Sequence, residues 1–151
     1  MGEFLLRAVL AGLAGTVVMT LVMALITRTG LANADMVRAI GSIVTRSLAR
    51  ALPVGVALYA LGGVVFAVLY ATALSLVPVN GFWPTFGVST VLGFAHGFVM
   101  SFILVVSVAE HHPLEQFRDS GFGVAVAHIV GHITYGMGVG LVLGLAGVQR
   151  G

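Results

Sequence analysis

Four stretches of this 151-residue chain, roughly 4–27, 53–77, 84–108 and 121–148, are long and apolar enough to cross a bilayer as helices, and nothing else in the sequence restricts the fold so strongly. A hydrocarbon core about 30 Å thick takes about 20 helical residues, and every backbone polar group inside it must be paired within its own segment. The expected fold is therefore all-α: a single transmembrane domain over 1–151, an integral membrane four-helix up-down bundle. Composition agrees, since 59% of residues are hydrophobic and 8% charged, against about 25% charged in an average soluble domain. The first apolar run follows Glu3 and Arg7, is long for a signal peptide and has no clear small-x-small cleavage site. It is read as a retained helix.

Proline marks the boundaries: Pro53 and Pro84 are expected where the second and third spans begin, and Pro78 just after the second ends. Residues 28–52 are too polar to cross the bilayer. Met36, Val37, Ile40, Ile43, Val44 and Leu48 recur at helical spacing, with Arg38, Ser42, Thr45, Arg46 and Arg50 on the other side. That pattern suits an interfacial amphipathic helix capped by Asn33 or Asp35, or a linker helix packed under the bundle. All seven basic residues are Arg. Arg28, Arg38, Arg46, Arg50 and Arg118 fall in the two loops on one side, and Arg7 and Arg150 on the other, which predicts a multi-pass cell-membrane protein with both termini outside. Phe82 and Trp83 fit an aromatic anchor at the outer interface.

Several function classes are excluded. There is no Cys, hence no disulfide, thiolate metal site or Cys nucleophile. The arginines are too dispersed for nucleic acid, and no P-loop, nucleophile elbow or dinucleotide fingerprint is present.

Histidine is the exception in the apolar spans. His128 and His132 stand one turn apart in the last, and His96 lies in the third. At 1.5 Å per residue His96 is about 18 Å and His132 about 16 Å from the inner ends of their helices, a common depth near the midplane. Tyr135 falls on the same broad face. Imidazoles at that depth need partners, and three on neighbouring helices can converge on a metal ion with a coordination position left open. His96 and one of the last span's histidines, His132 or His128, could instead be axial ligands of haem b, and Met100, four residues from His96, adds a softer His/Met set for haem or copper. The metal candidates are thus His96, His128 and His132, and the cofactor-binding candidates His96, His132 and Met100, for zinc, copper, iron or haem b. Helix packing is the competing reading, because intramembrane His also serves as interhelical hydrogen-bond donor or acceptor. Glu110, His111 and His112 are placed at the inner mouth of the third span, as ligands on the way in, as a proton relay or as a wet helix end.

Gly12-Leu-Ala-Gly-Thr-Val-Val-Met-Thr20 in the first span matches Gly93-Phe-Ala-His-Gly-Phe-Val-Met-Ser101 in the third, and Tyr59, Gly62, Gly63 and Phe66 of the second fall opposite His128, Gly131, His132 and Tyr135 of the fourth. A duplicated helical hairpin and chance similarity in an apolar chain both account for this. Under duplication, His96 stands where the first hairpin has Gly15, and His132 where it has Gly63. Gly136, Gly140 and Gly144, like Gly93, Gly97 and Ser101, form small-residue ladders. Such ladders on several faces predict a homo-oligomer or a place in a larger membrane complex, with the lipid bilayer as the remaining partner and no nucleic acid.

With its Gly-Leu-Ala-Gly-Thr-Val-Val-Met-Thr first span and the His-x-x-Tyr-Gly element His132 to Gly136, the chain resembles small bacterial four-helix membrane proteins classed as domains of unknown function. The resemblance implies the four-helix architecture and carries no activity. The function expected from the residues is an intramembrane histidine cluster binding a transition metal or haem, with redox or electron transfer as one use. The alternative is a non-catalytic accessory or structural subunit whose histidines serve packing. No catalytic residue is assigned, and the enzyme question stays open.

Overall fold

The computed structural model describes residues 1–103, 111–118 and 121–147. Among them are five α-helices and no strand: α1 (Gly2–Arg28), α2 (Met36–Thr45), α3 (Leu48–Leu76), α4 (Phe82–Ile103) and α5 (Phe122–Ala146), with a 3-10 turn at Glu115–Phe117. All but α2 are long and apolar enough to span a membrane. The part of the third predicted span beyond Ile103 lies outside the described residues.

α3 begins before Pro53, which corrects the expectation that this proline opens the span. Leu48 to Leu52 are competent helix formers, and the turn they make packs against α2, where a Cβ added at Gly41 would run into the Ala51 carbonyl. Proline leaves the Ala49 carbonyl without its helical partner. Leu48, Ala49 and Arg50 are exposed at that end, so water can take the bond. Pro84 causes no such loss, sitting in the first turn of α4.

α2 is capped by Asp35, whose carboxylate accepts from the Arg38 N–H at 3.2 Å. Asn33, the other candidate, donates instead to the Gln116 carbonyl at 3.1 Å, tying the two loops of this end together. The buried face of α2 is Met36, Ala39, Gly41 and Ser42, packed on α3, and Ile43 and Val44 are left exposed. The helix therefore both packs on the bundle and presents an apolar edge outward. At the opposite end Arg7 donates to the Ala146 and Gly147 carbonyls at 2.8 and 2.7 Å, so the start of α1 and the end of α5 lie together.

α5 is the most buried of the long helices and packs on α4 and α1, while α1 also packs on α3. Glycine permits these approaches. The two ladders meet each other: a Cβ at Gly93 would meet the His132 carbonyl and Gly136 Cα, and one at Gly140 would meet Ser89 and Phe86. Both ladders are consumed in the α4–α5 interface, so the reason for expecting them to seek an outside partner is gone. α3 and α4 touch at only a few points, and that seam is where the bundle is loosest.

Candidate functional site

Polar side chains from all four long helices meet at a cavity of about 130 Å³ beside the α3–α4 seam. α5 supplies His128, His132 and Tyr135 at one-turn spacing, all three buried. α4 supplies His96 and Met100, α1 Thr16 and Met19, and α3 Tyr59, Gly63 and Phe66.

The His96 and His132 rings are 4.5 Å apart between centroids and nearly edge-on at 73°, and His128 and His132 are 5.4 Å apart. His96 also lies against Phe66 at 3.9 Å. His132 Nδ1–H donates to the His128 carbonyl at 2.9 Å, which in the neutral ring leaves Nε2 as an acceptor. His96 Nδ1 shares a hydrogen bond with the Tyr70 hydroxyl at 3.2 Å. A hydroxyl can donate or accept, so this bond survives in either tautomer of His96. The Tyr135 hydroxyl donates to the Gly63 carbonyl and fixes α5 to α3. Three buried polar atoms lining the cavity have no hydrogen-bond partner: His96 Nε2, His128 Nδ1 and the Tyr59 hydroxyl. Unpaired groups of this kind cost about 1–3 kcal/mol each, so their gathering around one space calls for an explanation.

Several predicted site residues belong elsewhere. His112 is buried but does not line the cavity. Its Nδ1 accepts from the Leu114 N–H at 3.1 Å and its Nε2–H donates to the Ala39 carbonyl at 3.0 Å, while Arg118 Nε donates to the His112 carbonyl at 2.8 Å. It latches the loop to α2 and takes no part in the cavity wall. His111 is exposed and absent from the cavity wall, and Glu110 lies outside the described residues. The predicted triad is also less than a preformed metal site. Among the described residues no three His, Cys, Asp or Glu side chains are gathered so as to hold an ion. His132 commits its Nδ1 to its own helix and keeps only Nε2 for any ligand.

Tyr59, Phe66 and Tyr70 were missed by sequence reasoning. The repeat held a signal for two of them, placing Tyr59 opposite His128 and Phe66 opposite Tyr135. Tyr70 had none beyond being a polar side chain in an apolar span.

The same alignment relates contacts as well as residues. A Cβ at Gly12 would meet the Gly63 carbonyl, and one at the equivalent Gly93 meets the carbonyl of His132, the equivalent of Gly63. Thr16 faces Gly63 in one hairpin, and Gly97 faces His132 in the other, so bulk is traded across the interface. The two halves differ where α1 meets α5 and α4 meets α3. Gly15 lets α1 close on Tyr135 and Gly138. In its place on α4 stands His96, whose ring rests on Phe66, the equivalent of Tyr135. An imidazole where the other half has no side chain holds α3 and α4 apart, and the cavity is the space that remains.

No curated protein and no solved structure matches the chain. A family model does, over residues 3–150. With four helices fit to span a membrane among its described residues, the chain belongs to DUF6789, a family of unknown function.

Proposed function

We propose that the chain binds one copper(I) ion in the intramembrane cavity, between His96 and His132, with the thioether of Met100 or Met19 completing the set. The observation that carries this reading is His96 Nε2, buried without a partner on a ring 4.5 Å from His132, in a cavity that both methionines line. Neutral nitrogen and thioether ligands are the set that soft copper(I) accepts. A monovalent ion among neutral ligands also brings less uncompensated charge into the membrane than zinc or iron(II), whose second charge no carboxylate of the cavity lining offsets. Haem fits less well. Axial nitrogens lie about 4 Å apart across a macrocycle, from bonds near 2.0 Å, and rings in edge contact around about 130 Å³ leave no room for one. With Tyr70 accepting from Nδ1–H, His96 presents its Nε2 lone pair, and the hydrogen bond behind it orients the ring.

The test is anaerobic competition for copper(I) against bicinchoninate with protein purified in mild detergent. One ion per chain is expected, and His96→Ala and His132→Ala should each weaken binding by more than the about 10–100-fold typical of changes behind a ligand. If the double variant holds copper as well as the parent chain, the reading is lost.

The end that carries α2 is read as cytoplasmic, from Arg28, Arg38, Arg46, Arg50 and Arg118 against Arg7 and Arg150. The accessory-subunit reading keeps one observation in its favour: Gly62 of α3 meets nothing within 4 Å, beside the loose seam. A second chain could close there, and mass in mild detergent separates an assembly from a monomer.

A further inference from the structure

We infer that the chain has a second ligand site, for one anionic lipid, in the half-open groove between the C-terminal part of α1, the helix α2 and the first turns of α3, where Leu52 and Val56 are exposed along its length. Its volume is about 370 Å³, within the range of small-molecule sites. Its lining is graded. Arg28, Asp35 and Arg38 stand at one end, Met23, Ala24, Leu52 and Val56 follow, and Tyr59 closes the other.

Each end selects a different part of the ligand. At the polar end Arg38 is engaged by Asp35 at 2.9 Å, whereas the Arg28 guanidinium has no hydrogen bond or ion pair with any described residue. Two guanidinium groups against one carboxylate leave a net positive mouth, which suits a phosphate or carboxylate headgroup. That mouth sits where α1 ends and α2 begins, the level at which apolar helix gives way to polar loop and headgroups reside. Exposed Ile43 and Val44 mark the outer edge of α2 as lipid-facing. From Arg28 back to Thr20 the wall runs eight residues of helix, about 12 Å, along which an acyl chain can lie extended. A free phosphate would use the mouth and leave this apolar length empty.

Tyr59 gives the site its limit. It lines both this cavity and the histidine cavity, with its hydroxyl buried and unpartnered. The ring is the wall between the two spaces, so the lipid site stands whether or not the histidines hold copper.

Native mass spectrometry of the full chain released from nanodiscs of mixed phosphatidylglycerol and phosphatidylcholine tests the proposal. One retained phosphatidylglycerol per chain is expected, in preference to phosphatidylcholine. Arg28→Gln should lower its retention about fivefold, the factor that one basic residue supplies near an anionic surface, while Arg28→Lys keeps most of it. Val56→Trp fills the apolar length without touching a charge and should also expel the lipid. Equal retention of the two lipids, or unchanged retention in Arg28→Gln, overturns the site. Binding that survives Val56→Trp and is displaced by inorganic phosphate overturns the lipid and leaves a phosphate site alone.

Discussion

The hydroxyls of Tyr70 and Tyr59 are both within the bundle, yet their consequences are opposite. Tyr70 pairs with His96 Nδ1, and Tyr59 pairs with nothing. Tyr70→Phe deletes the partner of a buried imidazole nitrogen, and we expect it to destabilise the fold by about 1–3 kcal/mol. Tyr59→Phe removes only a group that is already unsatisfied, and is expected to be neutral or mildly stabilising. Reversible unfolding in mixed micelles measures both. Equal losses for the two variants would show that the hydroxyls are paired alike and that Tyr59 has a partner within the bundle. The same logic explains why Tyr70 was invisible in the sequence: hydrogen-bond partnership between α3 and α4 has no periodic signature.

Helix α4 shows how a glycine is judged by what it faces. Gly93 is pressed against α5, where an added Cβ would meet backbone atoms of His132, Ile133 and Gly136 that cannot rotate away. Gly87, on the same helix, meets nothing within 4 Å. Gly93→Ala should therefore force α4 and α5 apart at a cost of about 1–3 kcal/mol. Gly87→Ala is expected to be neutral or to gain up to about 1 kcal/mol from helix propensity. Thermal unfolding in detergent reads both, and a Gly93→Ala chain as stable as its parent would mean that this interface is not as close as drawn. The ladder Gly93, Gly97, Ser101 was legible in the sequence as a close-packing face. Its occupant was not, since spacing alone says that a backbone approaches and leaves open whether it belongs to the same chain.

When α1 and α3 are laid over α4 and α5, the exchange of Gly15 for His96 changes how the helices approach. α1 closes on α5 over Gly15, while His96 holds α4 off α3. His96→Gly restores the first hairpin's residue to the second, and should let α4 move toward α3 by about 1–2 Å, the scale of helix shifts at packed interfaces. The chain has no cysteine, so spin labels on an introduced pair are the only ones. A pair at Leu69 and Phe98, both lipid-exposed, should report a shorter distance in His96→Gly, while a pair at Leu13 and Leu141 should not change. No shortening at the first pair would mean that something other than the imidazole keeps the seam open.

Sequence alone determined the spanning helices, because a bilayer admits few ways to satisfy backbone groups and four apolar stretches of helical length leave little choice. It also predicted the amphipathic α2 and narrowed its cap to Asn33 or Asp35, and it gave His96 and His132 a common depth with His128 one turn nearer the α2 end, since rise per residue is constant along a helix. Boundaries were less legible where tertiary contact overrode a local rule, as at Pro53, which α3 tolerates because the turn before it packs on α2. Only the tertiary structure decided that His96 Nε2 and His128 Nδ1 face the cavity without a partner, that His112 latches a loop to Ala39, and that the glycine ladders face each other. It also decided that Tyr59 divides two cavities. These outcomes depend on helix rotation and on pairings between residues as distant as Ala39 and His112 or Gly63 and Tyr135. Rotation is set by packing several helices at once, and in spans apolar on every side no hydrophobic stripe betrays it beforehand.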